Sequence, residues 1–565
     1  MANAAASDRK HPKGHTYAEF TFPNGKLLPA EETLVEACAI GQPAVITTER
    51  PSRMTEENRI RPDFFRFLVL GGDDKVGIHE KGVHAAGAWI DGDIDLEGCK
   101  ASAPVTIDWC YVNGTLILRD AEVPCLFVDN SFLKGIDADR LRCPGSLFLN
   151  NNSVVQGGPV QLGGANIGGD LDFVGARFVN SGDDAIFCAG ATIHGDVFLG
   201  PKIDDTLRII GGVNFDGARI DGDVLCNEVQ FNGNVPFMGS RIGGDLNFYK
   251  SIFVSAHDEK RHEIDLSLSN IGGRLFYLAV EGELHSFSLR ATTVRALVDD
   301  VSSWMVAREL ILDGFRYDRI IDADVPEGRE DHFSPTDAES RIAWLSRQRE
   351  QDLKVHFKPQ PWEQLIKVLR DMGHQEIAKQ VAIAKQEQIR KHKFIFHAKY
   401  GALCRYGYRP GILIAWALGV AVVWAAIFKV GADMGVMAPT DRHIIEDTKD
   451  ATCRPEGGGN WTTCASLHSH GYPAFDPIVY SFDLILPVIS TQQTKDWAPL
   501  TTRGCKSVNR FGVCQSHADE GDNSNVSGYW PLGVAIWLLA RSENLAGWIF
   551  GLMFVAIVSG LIKKD

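Results

Sequence analysis

The sequence predicts a mainly β fold: a parallel β-helix solenoid with an N-terminal helical cap, followed by an α-helical hairpin and two transmembrane helices. Three observations lead there. Between Gly87 and Phe276 one phrase keeps returning: an apolar residue, any residue, Gly, often Asp, then apolar residues two apart. It reads Ile90-Asp-Gly-Asp-Ile94, Ile167-Gly-Gly-Asp-Leu171, Ile193-His-Gly-Asp-Val197, Ile220-Asp-Gly-Asp-Val224, Ile242-Gly-Gly-Asp-Leu246 and Ile271-Gly-Gly-Arg-Leu275, with weaker copies at Val112 to Gly114 and Leu141 to Leu149. A unit of about 22 to 30 residues that cannot bury its apolar face alone must stack on its neighbours. Second, apolar residues recur at steps of five beside the phrase, as in Leu162 to Ile167, Phe215 to Ile220 and Phe248 to Phe253. That step is too short for a helical repeat and suits short pleated strands with glycine corners, close to the pentapeptide-repeat type. Third, Gly411 to Phe428 and Leu545 to Ile562 carry no charge and just reach the length that crosses a bilayer core.

The elements follow in order along the 565 residues. Residues 1–29 are expected to be an extended N-terminus. Met1 to Lys10 has no apolar core of signal-peptide length, which predicts a cytoplasmic start. The open end of a β-helix is a raw sheet edge that must be covered. Arg61-Pro-Asp-Phe64-Phe65-Arg-Phe67-Leu68, with Pro at a helix start and Gly71 and Gly72 at its end, fits that task, so 30–72 reads as a helical cap. The β-helix occupies 73–321, and 322–339 is a polar linker. Residues 340–410 change to a helical period. Pro361 to Gly373 is amphipathic, and a second helix runs from about Gln375 to His392; the pair reads as a packed stem between rod and membrane, with a partner-binding groove as the alternative.

Charge and cysteine usage set the topology. The net charge is −15, with acidic residues crowding the solenoid and basic residues gathered between Lys354 and Arg409. An acidic rod with a basic stem is a poor match for a nucleic-acid binder, although some acidic β-helices mimic DNA. Arg390, Lys391, Lys393, Lys399, Arg405 and Arg409 precede the first span (411–428), and Lys563 and Lys564 follow the second (545–562). The positive-inside rule then puts both termini in the cytoplasm and the 429–544 loop outside. Tyr529 to Ala540 reads as a short interfacial helix because Arg541 and Glu543 interrupt it. Cys453, Cys464, Cys505 and Cys514 all lie in that outer loop, and two disulfides with local pairing are the simplest connectivity; a zinc site is the alternative. The other eight cysteines show no metal or redox spacing.

The most function-like segment is 478–493. Tyr472 to Ile489 is too short to span and too apolar for an ordinary loop, and Ser490 to Trp497 follows it. Span, short helix, polar turn and span is the order of two-span cation-channel pores, where the short helix re-enters the membrane. Ser481, Asp483, Thr491 and Gln492 are the residues that would line such a hole; a helix of 478–489 lying in the interface and bracing the loop is the other reading.

Several phrases taken together, Pro359 to Leu365, Gly373 to Ala378, Tyr480 to Val488 and Gly547 to Ala556, resemble a bacterial family of β-helix proteins with two C-terminal spans named membrane-associated oxidoreductases. The resemblance covers most of the chain from about residue 60 and carries over no catalytic residues. The residues themselves offer no support for redox chemistry. Gly163 to Gly169 is glycine-rich but lies between strands, so no helix N-terminus faces a pyrophosphate. Asn180-Ser-Gly-Asp183-Asp184 is similar to the paired carboxylates of pectin-cleaving β-helix enzymes, and equally to an ordinary turn. The corner residues Asp93, Asp170, Asp196, Asp223 and Asp245 could bind calcium, or more simply accept hydrogen bonds from their own turns. No catalytic, cofactor or metal residue is assigned. The expectation is a bacterial inner-membrane scaffold whose solenoid meets a protein partner and whose spans meet lipid. A homo-oligomeric channel is the alternative, and an enzyme the third class.

Overall fold

The computed structural model of the chain describes residues 15–23, 25–201, 207–254, 262–321, 334–354, 356–391, 410–448, 453, 459–469, 471–486, 490–501, 505–508, 514–517 and 530–559. They divide into two compact units, 1–388 and 389–565.

The first unit is a parallel β-solenoid of about 10 turns. Every coil-to-coil strand pairing in it is parallel, and the strands order into a seventeen-stranded, a twelve-stranded and a four-stranded sheet. The repeated phrase becomes a column. Cys143, Ile167, Ile193, Ile220, Ile242, Ile271, Val294 and Tyr317 lie in register on successive coils. Beyond the glycine corner Leu147, Leu171, Val197, Val224, Leu246, Leu275 and Leu297 form the next column. All are buried. Each contributes about 1.5–3 kcal/mol only because the coils above and below cover it. The first copy of the phrase departs from this scheme. Ile90 stacks on Val112 in the other large sheet, so Ile90-x-Gly92 and Val112-x-Gly114 form a second glycine corner on a different face. Outward aromatic residues stack too: Trp89, Tyr111 and Phe132 lie 4.1 and 4.6 Å apart.

The corner aspartates act between coils, not within their own turns as the sequence suggested. Asp170 Oδ1 accepts the Asp196 N–H at 2.9 Å, Asp196 Oδ1 accepts that of Asp223 at 2.7 Å, and Asp223 Oδ1 that of Asp245 at 2.7 Å. Asp245 then receives Arg274 N–H and its guanidinium, and Asp93 receives Thr115 N–H. Each carboxylate thus satisfies a backbone donor that the turn leaves free. Replacing Asp196 by Ala should leave the Asp223 N–H unmatched, at about 1–3 kcal/mol. Hydrogen exchange of the Asp223 amide should accelerate while that of Val112, several coils away, stays unchanged.

The N-terminal cap differs from the expected helical segment. Helices Pro29–Ile40 and Pro62–Val69 are present, but Ala44–Val45 and Arg59–Ile60 pair with Ala85–Ala86 and Trp89–Ile90, so residues 44–60 already belong to the first coil. Two-residue strands inside long turns carry too little periodicity to be seen in the sequence. Within 1–29, Tyr17–Phe20 is a helical turn, with Phe20 buried against Phe64 and Phe67. Buried Glu31 holds the cap together through the Arg61 guanidinium at 2.6 Å and the Arg61 N–H at 3.0 Å.

At the far end the helices expected as a stem pack on the last coils. Helices Ala338–Leu345, Glu350–Leu353, Gln360–Asp371 and Gln375–Lys391 follow one another. Gln360 bridges Gly314 N–H and Phe315 O at 2.8 and 2.9 Å, and Gln364 donates to Tyr317 O at 2.6 Å. Trp362, Leu365 and Leu369 are buried beneath them. The sheet edge is therefore closed by a helical layer, and the helix starting at Ala338, capped by Asp337, lies partly in the stretch expected as linker. The rest of that linker (322–333) and the basic segment 392–409 lie outside the described residues.

Candidate functional site between the two apolar helices

In the second unit, helices Pro410–Asp433 and Trp530–Val558 run antiparallel. Leu413 packs with Ile557 at one end, Trp424 Nε1 donates to Leu539 O at 3.1 Å midway, and a side chain on Gly431 would collide with Ile536 near the other. Two helices, Gly411–Asp433 and Leu532–Val558, are long and apolar enough to cross a membrane, and only 22% and 17% of their most apolar windows are buried. Ile414, Leu418, Val422, Leu545, Leu552 and Val555 point outward, so most of the apolar surface of these helices is left uncovered by the described residues. The second helix differs from its expected form. Residues 530–540 are no separate interfacial helix: they are continuous with the apolar stretch, through Arg541 and Glu543.

The reason lies in the short helix. Pro477–Ile485 starts with Asp476 accepting the Ile478 and Val479 N–H groups, and Pro477 at its first position fixes the entry. It packs between both apolar helices. Ser481, fully buried, donates to Ala421 O at 2.9 Å and touches the Glu543 carboxyl. Glu543 is itself 0% exposed, which is how a charged residue can sit inside an apolar helix without ending it. Asn544 Nδ2 adds a contact to Leu484 O at 3.4 Å. On the open side of this junction lies an apolar cleft of about 550 Å³ lined by Leu413, Ile414, Phe482, Ile485, Trp548 and Phe554.

The four residues singled out for a pore separate into two groups. Ser481 belongs to the junction. Asp483 accepts the Thr491 hydroxyl at 2.8 Å, the Thr491 N–H, and the Thr494 N–H at 3.2 Å, so it braces the polar turn after the helix. Gln492 is exposed at the tip of that turn in the left-handed region, φ 74°. The helix ends at Ile485, and 487–489, expected to continue it, lie outside the described residues. Asp483→Ala should free four donors of the 491–494 turn, the N–H and hydroxyl of Thr491 and of Thr494, and cost about 1–3 kcal/mol. Faster proteolysis within 490–497 of the full-length protein, with unchanged cleavage elsewhere, would register it. Glu543 was missed in the sequence because a charge near an apolar run reads as the end of that run; Ser481, sixty-two residues away, is what accommodates it.

Of the four cysteines between the two apolar helices, Cys453 and Cys464 form a disulfide. Cys505 and Cys514 lie on antiparallel strands Cys505–Val508 and Cys514–His517, with Val508 opposite Cys514; their side chains lie outside the described residues. The disulfide packs with Trp461, Leu467 and Trp497 into the core of this unit. In the solenoid, Cys110, Cys143, Cys188 and Cys226 are buried and burial pushes their thiols up, that of Cys110 to about 12, which suits core residues and not nucleophiles. Asp183 and Asp184 are committed to a strand irregularity: Asp183 accepts the Asp184 N–H at 2.9 Å, and Asp184 faces Asn214 Nδ2 at 3.3 Å. Gly163 to Gly169 crosses a coil corner between strands with no helix following. Among the described residues no group of three or more His, Cys, Asp or Glu side chains is placed to hold a metal ion. The chain matches no family model, no curated protein and no solved structure.

Proposed function

We propose that this is a bacterial inner-membrane scaffold: an acidic solenoid in the cytoplasm, carried by a two-span anchor with its disulfide-bearing loop in the periplasm. The observation that carries this reading is the pairing of a β-solenoid, covered by helices at both ends, with two lipid-suited helices whose apolar side chains point outward. A rod closed at its ends offers its long lateral face, where acidic and basic side chains alternate in pairs such as Arg140–Asp120 at 2.7 Å and Lys250–Glu228 at 2.9 Å. Such a surface suits recognition of a folded protein partner by charge and shape. Membrane lipid is the second partner, and nucleic acid is not one. The test places a photo-crosslinking residue at Arg140 or Arg208 of the full chain in native membranes. A discrete adduct from the rod, with the protein retained through an alkaline carbonate wash, supports the scaffold; release by carbonate, or no adduct at any rod position, sinks it.

A second reading, a homo-oligomeric channel, has its own support: Ser481 meets Ala421, midway along the first apolar helix, so 478–493 would re-enter the membrane if that helix spans it. Conductance steps in planar bilayers that change on replacing Asp483 or Gln492 would favour it. The oxidoreductase reading rests on the resemblance alone, and a flavin, haem or nucleotide copurifying with the protein would bring it forward.

A further inference from the structure

The junction at Ser481 contains a carboxyl group that nothing in the scaffold reading uses. Glu543 is wholly buried, and its Oε2 has no hydrogen-bond partner. The charged and titratable groups around it are all engaged elsewhere or uncharged. On its own helix Arg541 lies over the Trp537 ring at 5.3 Å. On the short helix Asp483 is held by Thr491 and Thr494, and Tyr480 is buried against Phe428 and Phe475. On the first apolar helix Lys429 pairs with Asp433 at 2.9 Å, two turns beyond Ala421. No cationic side chain among the described residues pairs with Glu543, and a buried carboxylate without a counter-charge is expensive, above all in a bilayer.

Hydrogen counting identifies what takes the place of that counter-charge. A serine hydroxyl has one hydrogen, and Ser481 Oγ lies within hydrogen-bond reach of both Ala421 O and Glu543 Oε1, so it cannot donate to both. Both contacts are satisfied together only when the carboxyl supplies the second hydrogen, with Ser481 donating to Ala421 O and accepting from Glu543.

We propose that Glu543, with Ser481 as its acceptor, is a proton-binding site inside the two-helix anchor. Loss of that proton to water leaves the single Ser481 hydrogen to serve either Ala421 O or the Glu543 carboxylate, so one of the two Ser481 links at the junction is lost. The proposal rests on the two-span reading, deepens it, and makes the junction sensitive to proton supply.

Dicyclohexylcarbodiimide tests it, because it adds to protonated carboxyls and rearranges to a stable acylurea that mass spectrometry locates. Full-length protein in native membranes is treated from about pH 5 to about pH 9, with and without sodium ions. The expected result is label on Glu543, absent in Glu543→Gln, falling about tenfold per pH unit beyond its midpoint and indifferent to sodium. Ser481→Ala should keep the label but move the midpoint, which a purely structural contact would not do. Protection by sodium would overturn the proposal in favour of a metal-ion site. So would a label independent of pH, or no label on Glu543 while the same residue reacts in unfolded protein. A carbonate wash run in parallel separates the failures: release of the protein from the membrane removes the two-span reading and the proposal with it, whereas retention without label removes the proposal alone.

Discussion

Arg341→Ala should destabilise the C-terminal end of the solenoid by about 3–5 kcal/mol, because it strands a carboxylate in the core. Asp299 and Arg341 are 0% and 2% exposed and meet as a two-pronged pair, Nη1 to Oδ2 at 2.7 Å and Nη2 to Oδ1 at 2.8 Å. Trp304 Nε1 also donates to Asp299 at 2.7 Å, and Arg341 lies over the Trp344 ring. Asp299 ends a strand of the last coils, whereas Arg341 sits on the first helix of the covering layer, so the pair fastens one to the other. Arg341→Lys should recover little, since an ammonium cannot supply both prongs. The double change Asp299→Leu with Arg341→Met should recover more than half, because the cost comes from the unmatched charge and not from the pair's absence. Hydrogen exchange of the Thr293–Asp299 and Ala338–Leu345 amides in the detergent-solubilised chain reads the effect at this end of the solenoid. An Arg341→Ala shift of less than about 1 kcal/mol would mean that water reaches Asp299 and that the covering layer is loosely held.

This pair also marks where the sequence stops being informative. The solenoid was legible because its information is local and repeated. An apolar residue, a glycine and a second apolar residue four positions on define one corner, and five or more copies average out the irregular coils. Relations between coils were not legible. Asp196 reads as a turn former, yet it serves Asp223 on the next coil, because the ladder geometry appears only once coils are stacked. Ile90-Asp-Gly-Asp matches the Ile220 copy letter for letter but occupies a different corner, and coil lengths along the Leu126 to Leu297 column alone vary from 21 residues between Leu126 and Leu147 to 29 between Leu246 and Leu275. The anchor shows the same limit. Hydropathy located both helices, but it started the second too late, at Leu545, because Glu543 looked like a boundary. Only the buried Ser481 from a segment sixty-two positions away makes that carboxyl compatible with a continuous helix.

The aspartate ladder makes a sharper demand on glycine than backbone freedom does. At Gly222 a methyl group would lie 2.1 Å from Asp196 Oδ1 and 2.7 Å from Gly195 O, both on the preceding coil. It would push aside the same carboxylate that receives the Asp223 N–H, so Gly222→Ala combines overpacking against backbone with a lost buried hydrogen bond, about 2–5 kcal/mol. Gly217 tests the competing explanation. It has φ +65° with nothing within 4 Å of an added methyl, so Gly217→Ala should cost only the left-handed backbone penalty, about 1 kcal/mol. Gly195, Gly244 and Gly273 repeat the Gly222 geometry against Asp170, Asp223 and Asp245, so the larger effect should recur down this column and be absent from the corner of Gly217. Hydrogen exchange on the full-length protein separates the two, with faster exchange at the Asp223 amide for Gly222→Ala and no change there for Gly217→Ala. Equal costs at the two positions would mean that the coils are spaced by their turns alone, and that the Gly-Asp phrase reflects turn preference without any contact between coils.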